Sequence, residues 1–176
     1  YSQEKYSEAE PLFQQALELR QRLLGEEHPD FVQSLNNLAV LYYSQEKYSE
    51  AEPLFQQALE LRQRLLGEEH PDFAQSLYNL AGLYYSQGRY SKAEPLYQKA
   101  LELRRGLLGD EHPNVAQSLN SLAALYHSQE KYSKAELFLI QALDIFERKL
   151  GLDHPDTITT RDNLADLRDR IPPNQE

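Results

Sequence analysis

Residues 28–69 read HPDFVQSLNNLAVLYYSQEKYSEAEPLFQQALELRQRLLGEE, and nearly the same wording returns at 70–111 and, more loosely, at 112–153. The offset is 42 residues throughout, without insertion: Tyr1-Ser2-Gln3 recurs as Tyr43-Ser44-Gln45, Tyr85-Ser86-Gln87 and His127-Ser128-Gln129. Residues 1–42 and 43–84 differ only at Val32/Ala74, Asn36/Tyr78 and Val40/Gly82. A fixed internal period of this size signals stacked supersecondary units.

Each copy holds two helical patterns. From Phe31 to Gln45, Phe31, Leu35, Leu38 and Tyr42 share one stripe at helical spacing with Ala39 beside it. Pro29 suits the first turn, where its missing N–H costs little. This is helix A. From Ser49 to Leu66, Ala51, Leu54, Phe55, Ala58, Leu61 and Leu65 form a second stripe; Ser49 and Glu52 read as a capping box, and Gly67 as a stop. This is helix B. No segment alternates with period two, so strands are not expected. Neither stripe is buried by its own helix, so neighbouring copies must stack. Tyr48, with Tyr6, Tyr90 and Tyr132, reads as a wedge at the A–B turn.

The run Asn37-Leu38-Ala39-x-Leu41-Tyr42 followed by Lys47-Tyr48-x-x-Ala51-Glu52-x-Leu54-Phe55-x-x-Ala58-Leu59 resembles the tetratricopeptide signature. Leu38, Ala39, Tyr42, Ala51, Phe55 and Ala58 match it residue by residue, although Ala39 stands where many members carry Gly. The 42-residue period, with Ala51-Glu52-Pro53-Leu54, Leu65-Leu66-Gly67 and His70-Pro71-Asp72, is similar to the kinesin light chain subtype, here of an expected bacterial type. The extra eight residues over the usual 34 lengthen helix B by about 12 Å. The resemblance implies an all-α, right-handed α-solenoid of antiparallel pairs, in the order B0, A1–B1, A2–B2, A3–B3, A4. The expected organisation is one array over residues 1–171, with a half repeat at 1–27, full repeats at 28–69, 70–111 and 112–153, and a cap helix at 154–171. Residues 172–176 are a tail.

The ends differ. The first helix, from about Ser7 to Leu24, carries Ala9, Leu12, Phe13 and Ala16, an apolar set that the internal copies should bury. Further repeats are therefore expected upstream, and this exposed helix is expected to pair with another copy. In the last helix Arg161 replaces the core Leu, Arg168 replaces the core Tyr, and Pro172-Pro173 stop the chain, so this reads as a cap and as the end of the array.

The net charge of −10 disfavours nucleic acid and anionic membranes. The absence of Cys removes disulfides, thiolate metal sites and thiol nucleophiles. No leader or spanning segment is legible, which points to the cytoplasm. His28, His70, His112 and His154 recur, but neighbours one repeat apart stand about 10 Å from each other. Zinc ligands must converge within about 2 Å of a point, so these residues read as helix starts and no metal or cofactor is expected. Glu26-Glu27 and Glu68-Glu69 lie in B–A loops and read as helix-dipole acids. Arg20, Arg62 and Arg104 read as packing or ion-pair residues. No phosphate loop or nucleophile elbow occurs, so an enzyme is not expected.

The resemblance places helix A on the concave wall. On its helical wheel Gln33, Asn36, Val40, Tyr43 and Ser44 cluster within about 100° of arc, away from the core stripe. Their counterparts are Gln75, Tyr78, Gly82, Tyr85 and Ser86, then Gln117, Asn120, Ala124, His127 and Ser128; in A4 the set turns acidic at Thr159, Asp162, Asp166 and Asp169. These are the expected peptide-groove residues, and the face they form should not hold the fold together. Amides match a peptide backbone, and Tyr adds apolar area with a polar tip. Asn37, Asn79 and Asn163, at the edge of this face, read as structural. Without groove Lys or Arg, an acidic tail is disfavoured as ligand. The expected function is protein or peptide binding, the alternative an oligomerisation or spacer array working through its ends or convex face.

Overall fold

The computed structural model describes residues 3–170, with side chains from residue 8 onward. The side chain of Tyr6, together with Pro172, Pro173 and the 172–176 tail, lies outside the described residues. Eight helices are described: α1 (Gln3–Leu24), α2 (Pro29–Ser44), α3 (Tyr48–Leu66), α4 (Pro71–Ser86), α5 (Tyr90–Leu108), α6 (Pro113–Ser128), α7 (Tyr132–Leu150) and α8 (Pro155–Arg170). No strand occurs among the described residues. Even-numbered helices are type A and odd-numbered ones type B. Residue contacts group the chain into two compact units, Tyr1–Arg89 and Tyr90–Glu176.

In the first unit α2 lies between α1 and α3, and α4 follows on α3. Partners along α1 and α2 run in opposite directions: Gln14 bonds Tyr42 at 2.8 Å, while Arg20 bonds Ser34 at 2.6 Å. The core follows the apolar stripes. Phe31, Val32 and Leu35 of α2 form one buried cluster with Ala58 and Leu61 of α3, and Leu17, Leu54 and Leu65 pack around it. Ala39, Ala51 and Ala58 are fully buried, so their small side chains permit close backbone approach. The second unit repeats this order, with α6 packed against α5 and α7, and α8 against α7.

The helix ends follow from local chemistry. His28, His70, His112 and His154 cap the A helices, each Nδ1 accepting the N–H two residues on at 3.1–3.2 Å. At the A–B turn the chain passes through the left-handed region, at Glu46 (φ 59°), Gly88 (φ 71°) and Glu130 (φ 59°). Tyr48 packs on Tyr43 with ring centroids 5.8 Å apart, and Tyr132 on His127 at 5.6 Å.

Two sequence expectations are corrected, and a third is sharpened. The Ser49/Glu52 capping box does not form. The helix begins one residue earlier, with Lys47 at the N-cap and no side-chain cap bond; Ser49 bonds Glu50 instead, and Glu52 is drawn to Arg89 at 2.7 Å. The first helix starts at Gln3 rather than Ser7: residues 3–5, the counterparts of the turn at 45–47, are helical here. Of the two readings of Arg20, Arg62 and Arg104, packing holds for Arg62 and Arg104, which are 4% and 3% exposed. Each donates to a first-turn carbonyl and a serine hydroxyl of the next A helix: Arg62 to Asp72 O (3.1 Å) and Ser76 Oγ (2.8 Å), Arg104 to Asn114 O (3.0 Å) and Ser118 Oγ (2.8 Å). The carbonyls of a helix's first turn thus serve as acceptors.

Candidate functional site

In the first unit the expected ligand face is built by α2 and α4. Gln33 and Val40 are exposed, Tyr43 and Gln75 half-buried, and Asn36 is buried at 6% exposure. Tyr78, Gly82 and Tyr85 on α4 are also half-buried. A line of side-chain amides crosses the two helices. Gln33 Nε2 donates to Asn37 Oδ1 (2.8 Å), Gln75 Nε2 to Asn79 Oδ1 (2.7 Å), and Asn79 Nδ2 to Asn36 Oδ1 (3.0 Å). Arg62 reaches in from α3 to give Gln33 Oε1 an N–H at 2.9 Å. At the other end of the helices Tyr43 Oη and Ser86 Oγ share a 2.9 Å hydrogen bond.

These bonds correct one expectation. The face was read as carrying no structural duty, yet Asn36, Gln33 and Tyr43 tie α2 to its neighbours. The reason lies in register: Asn36 and Asn79 stand one repeat plus one residue apart, so the twist between stacked A helices brings them opposite each other. Wheel arithmetic on a single helix carries no such information. Asn79 has the structural role expected of it, while Asn36 is held beneath the surface and offers little to a ligand.

The ordering of this face leaves capacity for a ligand. A side-chain amide has two donor hydrogens and two acceptor lone pairs. Gln33 uses one of each within the fold, and Val40 stands 40% exposed beside it. The result is a fixed polar lattice next to an apolar spot.

The second unit pairs α6 with α8. Gln117 and Ala124 are exposed, and Asn120 and His127 half-buried. Asn120 Nδ2 donates to Thr160 Oγ1 at 2.7 Å, and its Oδ1 is buried without a partner. Asn163, the counterpart of Asn79, is exposed here rather than bonded to Asn120. On α8 Thr159, Asp162, Asp166 and Asp169 are all exposed. The arginines on which α8 was read as a solvent-facing cap of the array fold back on α7: Arg161 pairs with Glu147 at 2.9 Å and Arg168 with Glu136 at 2.6 Å.

Around the A–B turns sits a repeated charge clamp. Lys47 pairs with Glu10 (2.7 Å) and Arg89 with Glu52 (2.7 Å), each cation over a ring, Tyr42 or Tyr84. The Lys47 hydrogen bond holds the Glu10 carboxyl below the usual range, and Glu10 in turn raises the Lys47 pKa. For Glu52, burial pushes upward, but the hydrogen bond and charge of Arg89 with further donors leave the pKa lowered. Sequence reading missed this clamp; its signal was an acid and a cation 37 residues apart in successive copies. Among the described residues no group of three or more His, Cys, Asp or Glu is placed to hold a metal ion, and no helix is long and apolar enough to cross a membrane.

The comparisons agree with this architecture. The family profile described as tetratricopeptide repeat matches residues 1–64, 30–106 and 72–148. A putative kinesin light chain with nearly identical TPR-like repeats from Podosopora anserina is 27% identical, with a TM-score of 0.78, over 93% of this chain and 78% of its own. BtubC (BKLC) from P. vanneervenii is 27% identical with a TM-score of 0.83, over 94% of this chain and 66% of its own. RapI in its apo form shares the fold at 21% identity and a TM-score of 0.70, over 79% of this chain and 48% of its own. No curated protein sequence matches the chain.

Proposed function

We infer function from family membership: the chain belongs to the tetratricopeptide repeat family, whose repeats serve as protein–protein interaction modules. We propose that a partner's peptide segment lies on an A-helix face, that of α2 and α4 in the first unit; α6 and α8 carry the corresponding face of the second unit. The observation that carries this is the fixed amide lattice of Gln33, Asn37, Gln75 and Asn79 beside the exposed Val40. A lattice ordered before binding loses little entropy when a peptide backbone replaces water on it. On the first unit's face the remaining ligand contacts fall to Tyr43, Tyr78, Gly82 and Tyr85; on the second unit's own face they fall to Gln117, Asn120, Ala124 and His127. In the second unit Asp162 and Asp166 add exposed negative charge and favour a basic residue in a ligand of that face. Tyr43 and His127 are held in place by the turn rings Tyr48 and Tyr132.

The test is a displayed-peptide selection against the full chain, followed by titration of the selected peptides. The paired variant Val40→Glu, Tyr78→Ala is expected to weaken them at least tenfold with an unchanged circular dichroism spectrum. Capture that survives both changes with the fold intact refutes the A-helix face as the site. Asn36 is not used in this test, because its loss would disturb the lattice itself.

A further inference from the structure

Arg62 is 4% exposed and reaches two A helices at once. On α4 it donates to Asp72 O (3.1 Å) and Ser76 Oγ (2.8 Å); on α2 its Nη2 donates to Gln33 Oε1 at 2.9 Å. A guanidinium has N–H donors and no acceptor. The Gln33 atom that meets it must therefore be oxygen, and the Gln33 NH2 group is turned away from it. That group donates to Asn37 Oδ1 at 2.8 Å. Asn37 thus has its oxygen engaged and its NH2 group left over, with no partner among the described residues. Every bond in the row runs in one sense, N–H to O, starting from a buried cation that cannot reverse. Bonds aligned in this way polarise one another.

The open end is particular to α2. On α4 the row has the same sense, Gln75 Nε2 to Asn79 Oδ1 at 2.7 Å, but the Asn79 NH2 group is spent on Asn36 at 3.0 Å. In the second unit Ser121 stands at the Asn37 position, and its hydroxyl turns back to Gln117 O at 3.1 Å, so α6 carries no amide to extend a row. Asn37 is half-buried, and Val40, three residues on, is 40% exposed.

We propose that Arg62 is a positioning residue for the ligand face of α2 and α4: by fixing the polarity of the Gln33–Asn37 row it makes the face present N–H donors at Asn37, and so selects a carbonyl oxygen of the ligand there. This rests on the reading of that face as the ligand site. A group that only donates, such as a lysine ammonium, is refused at this spot. Without Arg62 the Gln33 amide has no fixed sense. Either of its polar atoms can then face Asn37, and the row can present oxygen outward as readily as N–H.

The first test needs no ligand. In the full chain labelled with nitrogen-15, Arg62→Met should shift the side-chain NH2 resonances of both Gln33 and Asn37; unshifted resonances overturn the proposal. The second test titrates the tightest peptide from the displayed-peptide selection into the parent, Arg62→Met, Gln33→Ala and the double variant, each well below its melting temperature. Arg62→Met should weaken binding about fivefold, the worth of one hydrogen bond. Gln33→Ala should weaken it at least as much, and the double variant no more than Gln33→Ala alone. Losses that add overturn the proposal, because an arginine that only holds the helices together would act whether or not Gln33 is present. Asn37→Asp keeps the oxygen that Gln33 uses and removes the NH2 group; it should weaken binding with the circular dichroism spectrum unchanged, and undiminished affinity overturns the proposal independently of Arg62. The pair Val40→Glu, Tyr78→Ala separates the two readings. Capture that survives this pair sinks the face and the proposal together, whereas capture lost in the pair with additive losses in the cycle sinks the proposal alone.

Discussion

Replacing Arg62 by methionine separates a buried polar tie from its solvated twin. Arg62 is 4% exposed and donates to Asp72 O, Ser76 Oγ and Gln33 Oε1. Burial pulls its pKa down, against the opposing pull of Asp72. Two terms compete on substitution. Removing the charge returns the cost of burying it, which has made some buried ion pairs neutral or stabilising to replace. Against that, Asp72 O and the buried Ser76 hydroxyl lose their donor, at about 1–3 kcal/mol per stranded group. Ser76 has a fallback in the carbonyl of residue 72, the bond that Ser118 makes to Asn114 O at 3.1 Å. The expected net loss is about 2 kcal/mol, or about 4–8 °C in melting temperature for a chain of this size. Arg20 makes the same bonds, to Asp30 O at 3.0 Å and Ser34 Oγ at 2.6 Å, from a half-buried position. There water can reach Asp30 O but not readily Ser34, which is 4% exposed, so Arg20→Met should cost less than Arg62→Met, about 1 kcal/mol. Both variants are read by thermal and urea melts followed by circular dichroism. Equal losses, or a more stable Arg62→Met, refute the claim that stranded acceptors outweigh recovered hydration.

Three further outcomes are expected. His70→Ala removes the side chain that accepts Asp72 N–H at 3.1 Å and should cost about 1 kcal/mol in a urea melt, whereas His70→Asn, itself a capping residue, should retain most of it. Glu46→Gly relieves a left-handed residue where the next copy already uses Gly88, and should raise stability by up to about 1 kcal/mol; a lower melting temperature would refute strain at this turn. Glu52 and Glu10 titrate below the usual carboxylate range in the folded chain, so they contribute stability above their unfolded pKa. That contribution is lost as pH falls through the lower folded values, and urea midpoints measured from pH 6 downward should fall less steeply for Glu52→Gln than for the parent.

The helices were legible because their signals are local and repeated. Pro29 at a first turn, Phe31, Leu35 and Leu38 at helical spacing, and Gly67 at a stop appear in successive copies, and the helices follow them within a few residues. The capping box misled because Ser49 and Glu52 have the right spacing but a stronger partner waits on another helix: Arg89 claims Glu52. The arginines were half legible: their packing was expected, but their acceptors include backbone carbonyls and hydroxyls that no charge pattern reveals. The ligand face was half legible. Its members could be placed on one side of helix A, but the bonding of Asn36 to Asn79 depends on the rotation between stacked helices.

The sequence by itself determined the repeat, the helix pairing and which stripe of each helix must be covered, because these follow from periodicity and the cost of exposing apolar surface. Only the tertiary structure decided which side chains are spent on cohesion and which remain available. Asn36 and Asn120 make the point: the same residue at the same repeat position is 6% exposed in one unit and half-buried in the other, bonded to Asn79 and to Thr160 respectively. Burial is a property of what packs against a residue, and identical sequence cannot encode two different neighbours.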